Sequence, residues 1–115
     1  IMGDQSILVN ATAVRVPVFY GHAEAIHLET RSPIDAQHVK ELLADAPGVT
    51  VYDGNEQFPT QVSSASGNDI VHVGRIRNDI THPCGLNLWV VSDNIRKGAA
   101  TNSIQIAETL IRDYL

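Results

Sequence analysis

The sequence predicts an α+β domain in which two helices pack on one face of a mostly antiparallel sheet. Two observations predict this class. About five short runs rich in β-branched residues have strand character, and two longer segments repeat apolar residues at helical spacing. The elements follow in the order ββαβββα, which is typical of an antiparallel sheet covered by helices on one side.

The composition favours one small globular domain over residues 1–115. Hydrophobic residues make up 43% of the chain and charged residues 18%, as in ordinary globular proteins. The net charge of −5 argues against a nucleic-acid surface, and no apolar run reaches membrane-spanning length. A single cysteine excludes an internal disulfide framework and fits a reducing compartment. We therefore expect a cytoplasmic protein with no nucleic-acid or membrane partner.

The first half of the chain is predicted to hold two strands and a helix. The strands run from Ile7 to Val18, interrupted near Asn10, and from Ala23 to Thr30, and the short gap between them favours antiparallel pairing. The helix is predicted to begin with Ser32 as its N-cap and Pro33 at the first helical position. Its apolar stripe comprises Ile34, Val39, Leu42, Leu43 and Ala46, and Pro47-Gly48 ends it.

The second half is predicted to hold three strands and a second helix. The strands cover Val49–Tyr52, Ile70–Arg77 and Leu86–Val91, and the last is the most apolar, which places it centrally in the sheet. Residues 54–69 form a predicted long loop, and such loops are usually functional or pack on another part of the protein. The second helix is predicted over Gly98–Tyr114.

An arginine and a histidine lie close together near the end of the first predicted strand. Arg15 is the one cation of an apolar run, and His22 directly follows Gly21. A guanidinium can hold a carboxylate through two hydrogen bonds, and an imidazole can move protons near neutral pH. Taken alone, however, the residues fit a structural ion pair and an ordinary surface histidine at least as well.

Three further features have structural as well as functional interpretations. Asn94 precedes the small residues that open the second helix, where backbone N–H groups favour anions, yet a cap with close packing explains this equally well. Arg75 and Arg77 alternate along a strand and favour ion pairs or subunit contacts over a ligand. Cys84 lies in a proline turn, and no histidine stands at a zinc-type spacing from it, so no metal site is expected.

Two segments resemble motifs of the bacterial aspartate-β-semialdehyde dehydrogenases. The active-site strand is similar to Arg15-Val16-Pro17-Val18-Phe19-Tyr20-Gly21-His22-Ala23-Glu24-Ala25. The C-terminal motif is similar to Ser92-Asp93-Asn94-Ile95-Arg96-Lys97-Gly98-Ala99-Ala100, followed by Gln105-Ile106-Ala107-Glu108. Between them, Val73–Arg77 and Leu88–Val91 follow the family's order. The resemblance covers the whole chain and implies that it is the last third or so of such an enzyme, an expectation supported by its unusual Ile1-Met2 start.

The resemblance implies a site and a reaction. Arg15 would hold the substrate carboxylate, His22 would be the general acid/base, and Asn94 would contact the cofactor NADP. The reaction implied is NADPH-dependent reductive dephosphorylation of β-aspartyl phosphate to aspartate-β-semialdehyde, a precursor of lysine, methionine and threonine. A homodimer acting on this small-molecule substrate is implied. The nucleophilic cysteine and the N-terminal Rossmann domain are absent from these 115 residues, so the chain alone is expected to be inactive.

Two alternatives remain open. The chain could be a non-catalytic dimerisation or substrate-binding module of a dehydrogenase paralogue. It could also belong to a related reductase that acts on another acyl phosphate, such as N-acetylglutamyl phosphate. The presence of both Arg15 and His22 counts against the first alternative, and the two motifs favour the aspartyl enzyme over the second.

Overall fold

The computed structural model describes residues 3–54 and 57–115, and these build a four-stranded sheet. The strands are β1 (His22–Glu29), β2 (Val49–Tyr52), β3 (Val71–Asn78) and β4 (Gly85–Ser92), in the spatial order β1-β4-β3-β2. The pairs β1/β4 and β3/β4 are antiparallel, whereas β2 and β3 are parallel. The α+β class with a mostly antiparallel sheet is therefore confirmed, and β4 is an interior strand as predicted.

Two α-helices and two short helical turns complete the described structure. Helix α1 spans Ala36–Ala44 and α2 spans Thr101–Tyr114. Turns with π-type hydrogen bonding cover Gln61–Ala65 and Arg96–Ala100, and the second leads directly into α2. No helix in the described part of the chain is both long and apolar enough to cross a membrane.

Helix α1 begins later than the sequence predicts. Its N-cap is Asp35, whose carboxylate accepts the N–H of Gln37 at 2.9 Å, so the prediction of Ser32 as N-cap is wrong. Asn78, at the end of β3, accepts the N–H of Ala36 at 2.7 Å and donates to Asp35 at 3.1 Å. The helix start is thus fixed by a tertiary contact, which local sequence patterns do not encode.

The core lies between α1 and one face of the sheet. Val73, Ile76 and Leu86 are its buried centre, and burial of the Leu86 side chain alone contributes about 2–3 kcal/mol. Partly buried apolar side chains of α1, of the segment before it and of all four strands surround this centre, namely Leu28, Ile34, Ala36, Val39, Leu43, Val49, Val51, Val71, Leu88 and Val90.

The opposite face of the sheet is partly covered by residues 58–66. The indole N–H of Trp89 donates to the carbonyl of Pro59 at 2.9 Å, and Ala65 in the first helical turn is fully buried. Gly74 allows the close approach, because a Cβ there would lie 2.9 Å from Cδ of Pro59. The described part of the predicted long loop therefore packs on the sheet.

The predicted strand from Ile7 to Val18 is wrong, and so is its pairing with the next strand. The backbone there has no strand partner among residues 3–54 and 57–115, and β1 pairs with β4 instead. Val14 is 77% exposed, and Leu8 and Val9 are exposed as well. Strand propensity reflects packing on a half-buried pleated surface, and neither edge of the sheet supplies that surface to this segment.

The second helix also differs from the prediction. None of its residues is buried or belongs to the core, and Ile104, Ile106 and Ile111 are each more than half exposed. The expectation that both helices pack on one sheet face therefore holds for α1 only. An apolar stripe predicts that a helix buries a face but does not identify the partner that covers it.

Candidate active site

The two motif segments of the sequence meet at one end of the sheet. His22 is the first residue of β1, and it pairs with Ser92, the last residue of β4. The chain then continues from Ser92 into Asp93 and Asn94. The exposed His22 side chain therefore stands beside the residues that follow β4.

The turn that precedes His22 is fixed by Asn94. The Gly21 N–H donates to Oδ1 of Asn94 at 2.8 Å across 73 residues of sequence. Gly21 has a φ of +92°, a conformation that other residues rarely adopt, and a Cβ there would lie 3.1 Å from Cβ of Gln61. The structure thus brings two predicted site residues, His22 and Asn94, to the same turn.

Asp93 anchors this end of the sheet, and sequence reasoning missed it. Its carboxylate is buried, with 3% of the residue exposed, and it accepts three backbone N–H groups. These belong to Gly67 at 2.9 Å, Ile95 at 2.9 Å and Arg96 at 3.0 Å. The bonds, that from Gly67 foremost, lower the pKa of Asp93. The available signal was an aspartate between a strand and a helical segment, which is typical of a cap.

A second carboxylate holds the start of α2. Asp69 accepts two hydrogen bonds from the Arg96 guanidinium, at 2.8 and 2.7 Å, and one from the Thr101 hydroxyl at 2.7 Å. The Arg96 hydrogen bonds, followed by that of Thr101, lower the pKa of Asp69 to about 2. The same pair raises the pKa of Arg96. The backbone on both sides of Asn94 is therefore fixed, by the bonds of Asp93 before it and by the Arg96–Asp69 pair after it.

Arg15 is placed differently from His22. It is exposed, in the segment without strand partners, and its guanidinium forms no ion pair or side-chain hydrogen bond with residues 3–54 or 57–115. No contact in that part of the chain links it to Asn94 or His22. The charge is thus unneutralised within the described residues.

The lone thiol lies far from His22. Cys84 directly precedes Gly85, which pairs with Glu29 at the opposite end of β1. Since β1 has eight residues, the two ends are separated by about 23 Å. Cys84 therefore cannot exchange a proton with His22.

Arg75 and Arg77 flank a bulge in β3. The pairing with β4 shifts between Gly74 and Arg77, and Arg75 has a φ of +55°. Arg77 donates to the Arg75 carbonyl at 2.9 Å, but neither arginine forms an ion pair within the described ranges. With Trp89 they line an open groove of about 300 Å³. The expected cross-strand ion pairs are thus not formed in that part of the chain.

The remaining histidines do not join a site with His22. His72 is buried, its Nδ1 lies 3.3 Å from the Tyr52 hydroxyl, and burial lowers its pKa. Residues 3–54 and 57–115 contain no group of three or more His, Cys, Asp or Glu residues placed to hold a metal ion.

Comparison with known proteins identifies the family. A model of the semialdehyde dehydrogenase dimerisation domain matches residues 1–97. The chain belongs to this family. An aspartate-semialdehyde dehydrogenase from Shewanella sp. strain DB6705 is 64% identical over 99% of the chain, and one from Aquifex aeolicus is 52% identical over all of it. The resemblance inferred from the two motifs is confirmed.

A solved structure extends the match of this semialdehyde dehydrogenase domain to three dimensions. The crystal structure of aspartate semialdehyde dehydrogenase II from Vibrio cholerae, complexed with ASA, superposes with a TM-score of 0.91 at 62% identity. The match covers 97% of this chain and 33% of that chain. The domain thus spans about a third of the length of the relatives it matches, as the resemblance implied.

Proposed function

We propose that this chain is part of an aspartate-β-semialdehyde dehydrogenase in which His22 is the general acid/base. The whole enzyme would reduce β-aspartyl phosphate to aspartate-β-semialdehyde with NADPH and release phosphate. The observation that carries the proposal is the junction of Gly21-His22 with Asn94, because it joins both family motifs at one sheet end and leaves the imidazole exposed.

The proposed chemistry requires a cysteine thiolate from outside this chain. That thiolate attacks the acyl carbon of β-aspartyl phosphate, and the C–O bond to phosphate breaks to leave a thioester. After hydride addition, the thiolate leaves and the semialdehyde forms. His22 would accept the thiol proton and would then donate or accept a proton at the tetrahedral intermediates. The distance of Cys84 from His22 along β1 supports an external nucleophile.

Arg15 would hold the substrate carboxylate. A guanidinium without an ion pair in the described residues has both of its parallel N–H groups free for bidentate binding. Because Arg15 is exposed, the substrate and the remainder of the protein could contact its guanidinium.

Asn94 fits one contact with a nicotinamide cofactor, which supplies or accepts the hydride when bound. Its Oδ1 is occupied by the Gly21 N–H, whereas its Nδ2 makes no side-chain hydrogen bond with the described residues. The amide N–H groups can therefore donate to a ligand carbonyl. No glycine-rich dinucleotide turn occurs in the 115 residues, so the rest of NADP would bind elsewhere.

A dimerisation role is a second candidate, and it is compatible with the first. The open groove beside Trp89, with two arginines that lack ion pairs in the described ranges, is the kind of surface that a partner subunit can cover. A homodimer is therefore proposed, with or without catalytic activity.

The decisive experiment assays the full-length protein that contains this sequence. Phosphate-dependent NADP reduction is measured with aspartate-β-semialdehyde and, in parallel, with N-acetylglutamate semialdehyde. We expect turnover with the first and at least about 100-fold lower kcat/KM with the second, which lacks a free amine and has a longer chain. Preference for the acetylated substrate would establish the related reductase instead. If the protein is a folded dimer that turns over neither substrate, the non-catalytic dimerisation module is the interpretation that remains.

A further inference from the structure

In the described part of the chain, the backbone of His22 is held by strand pairing on its C-terminal side but not on its N-terminal side. On its C-terminal side, the ladder with β4 holds the strand from His22↔Ser92 onward. On its N-terminal side, the chain enters the segment that has no strand partner within the described ranges. A local backbone bond there runs from the Val18 N–H to the Val16 carbonyl. A strand end that borders unpaired chain is free to fray.

One hydrogen bond holds the backbone on the N-terminal side of His22. The peptide N–H of Gly21 donates to Oδ1 of Asn94, and only the φ and ψ angles of Gly21 separate this N–H from the His22 backbone. Glycine has the widest choice of those angles, so an external tether is needed to select one conformation. The contact of Gly21 with Gln61 limits the turn from another direction.

Asn94 is itself held in place. Its neighbour Asp93 is buried and accepts three backbone N–H groups, and Arg96 is paired with Asp69. The acceptor that meets Gly21 is therefore attached to a fixed backbone rather than to a mobile loop. This arrangement is what precise placement of a catalytic group requires.

We infer that Asn94 is a positioning residue for His22. Its side-chain carbonyl holds the Gly21 peptide and thereby fixes the position of the His22 backbone, from which the imidazole extends. The inference rests on the proposed function, because it gives Asn94 a part in acid/base catalysis in addition to any cofactor contact. Loss of the bond moves His22, and a displacement of about 1 Å can reduce a rate about 100-fold.

The test uses the full-length protein with four variants. They are Asn94→Ala, His22→Ala, the double variant, and the control Asn78→Ala. Asn78 matches Asn94 because its side-chain carbonyl also accepts a distant backbone N–H, that of Ala36, but at the other end of the sheet. We expect Asn94→Ala to lower kcat about 10- to 100-fold, and Asn78→Ala to lower thermal stability while kcat stays within about twofold.

The double variant decides whether Asn94 acts through His22. If it does, Asn94→Ala costs no more than about threefold in the His22→Ala background, since residues that act as one unit are not additive. Both backgrounds are measured with NADP saturating, so that loss of a cofactor contact appears in the KM for NADP and not in kcat. A larger loss of kcat in the His22→Ala background would overturn the inference.

Amide hydrogen exchange of the Gly21 region gives a readout that needs no activity. Asn94→Ala should speed exchange at Gly21, whereas Asn94→Asp keeps an acceptor oxygen and should preserve slow exchange. Unchanged exchange in Asn94→Ala, or fast exchange in a folded Asn94→Asp, would contradict the inference. If the unsubstituted protein turns over no semialdehyde, the proposed function fails, while exchange at Gly21 still reports on the tether.

Discussion

The two proposed active-site side chains stand in contrasting surroundings. His22 begins a strand whose end is fixed by the Asn94 bond and by the network of Asp93 and Asp69. Arg15 lies seven positions earlier, on exposed backbone with no strand partner in the described residues. We refer to residues 20–22 with 92–96 as the fixed strand end and to residues 7–19 as the unpaired segment.

The difference indicates a division of labour. A group that transfers protons needs an exact position, and the fixed strand end supplies it from this domain alone. A carboxylate clamp can be completed when substrate and the remainder of the protein arrive, so its own domain need not hold it. The unpaired segment has exposed valines and Leu8, which suits a piece of chain that is covered by other parts of a longer protein.

The largest effect should come from adding one methyl group to the fixed strand end. Gly21→Ala introduces a Cβ 3.1 Å from that of Gln61, at a φ of +92°. The strain costs about 1–3 kcal/mol and shifts His22, so kcat should fall about 100-fold in the full-length protein. Gly3→Ala is the control, because Gly3 also has a positive φ but a Cβ there would meet no atom within 4 Å. Equal losses of kcat in Gly21→Ala and Gly3→Ala would contradict a special role of the turn at Gly21.

A change in the unpaired segment should affect binding rather than stability. Arg15→Lys keeps the charge and loses the bidentate geometry, so KM for the semialdehyde should rise about tenfold with kcat within a few-fold. The unfolding midpoint should not move, since Arg15 forms no ion pair in the described residues. Steady-state kinetics checks this, with Arg31→Lys as an exposed control. An unchanged KM would exclude a bidentate contact between Arg15 and the substrate carboxylate.

Acid should weaken the fixed strand end through Asp69. Its pKa is about 2 in the folded state, below the value of about 3.9 expected when unfolded. A lowered folded pKa means that the stabilisation is complete above about pH 4 and is lost as the pH falls from 4 towards 2. Asp69→Asn should therefore lower the unfolding midpoint at pH 6 and lower it by less at pH 2.5. Thermal melts across this range measure it, and an equal deficit at both pH values would contradict the assignment.

The smallest effect should come from a valine of the unpaired segment. Val14→Ala removes exposed methyl groups, so the free energy of unfolding of the 115-residue chain should change by less than about 0.5 kcal/mol. Val73→Ala in the core, where 3% of the residue is exposed, should cost about 2 kcal/mol. Denaturant titration compares the two. Similar costs would mean that the unpaired segment packs on this domain after all.

Elements with a complete local signal were predictable from the sequence. The short strand β2 matches its prediction because a β-branched run lies between two turn signals, and β4 was identified as interior from its apolar run. Residues 7–18 carry the same β-branched pattern, but a strand also needs a partner strand, and the described part of the chain supplies none. The start of α1 was misplaced because Asn78 helps to fix it from β3.

The candidate site was predictable in its residues but not in its geometry. Arg15, His22 and Asn94 came from the family motifs, and their roles stay predictions. The bond between Asn94 and Gly21, the bond of Asp93 to Gly67, and the bonds of Asp69 to Arg96 and Thr101 join residues 26 to 73 positions apart. Such pairs leave no periodic signal in the sequence, so only the folded chain reveals them.

The most direct test of the central claim is the turnover of the full-length protein with and without the His22 imidazole. Phosphate-dependent NADP reduction by aspartate-β-semialdehyde is compared for the unsubstituted protein, His22→Ala and His38→Ala, an exposed histidine of α1. If His22 is the general acid/base, its loss lowers kcat at least about 100-fold, and the loss of His38 changes it less than about twofold. Full activity in a folded His22→Ala protein would contradict the claim.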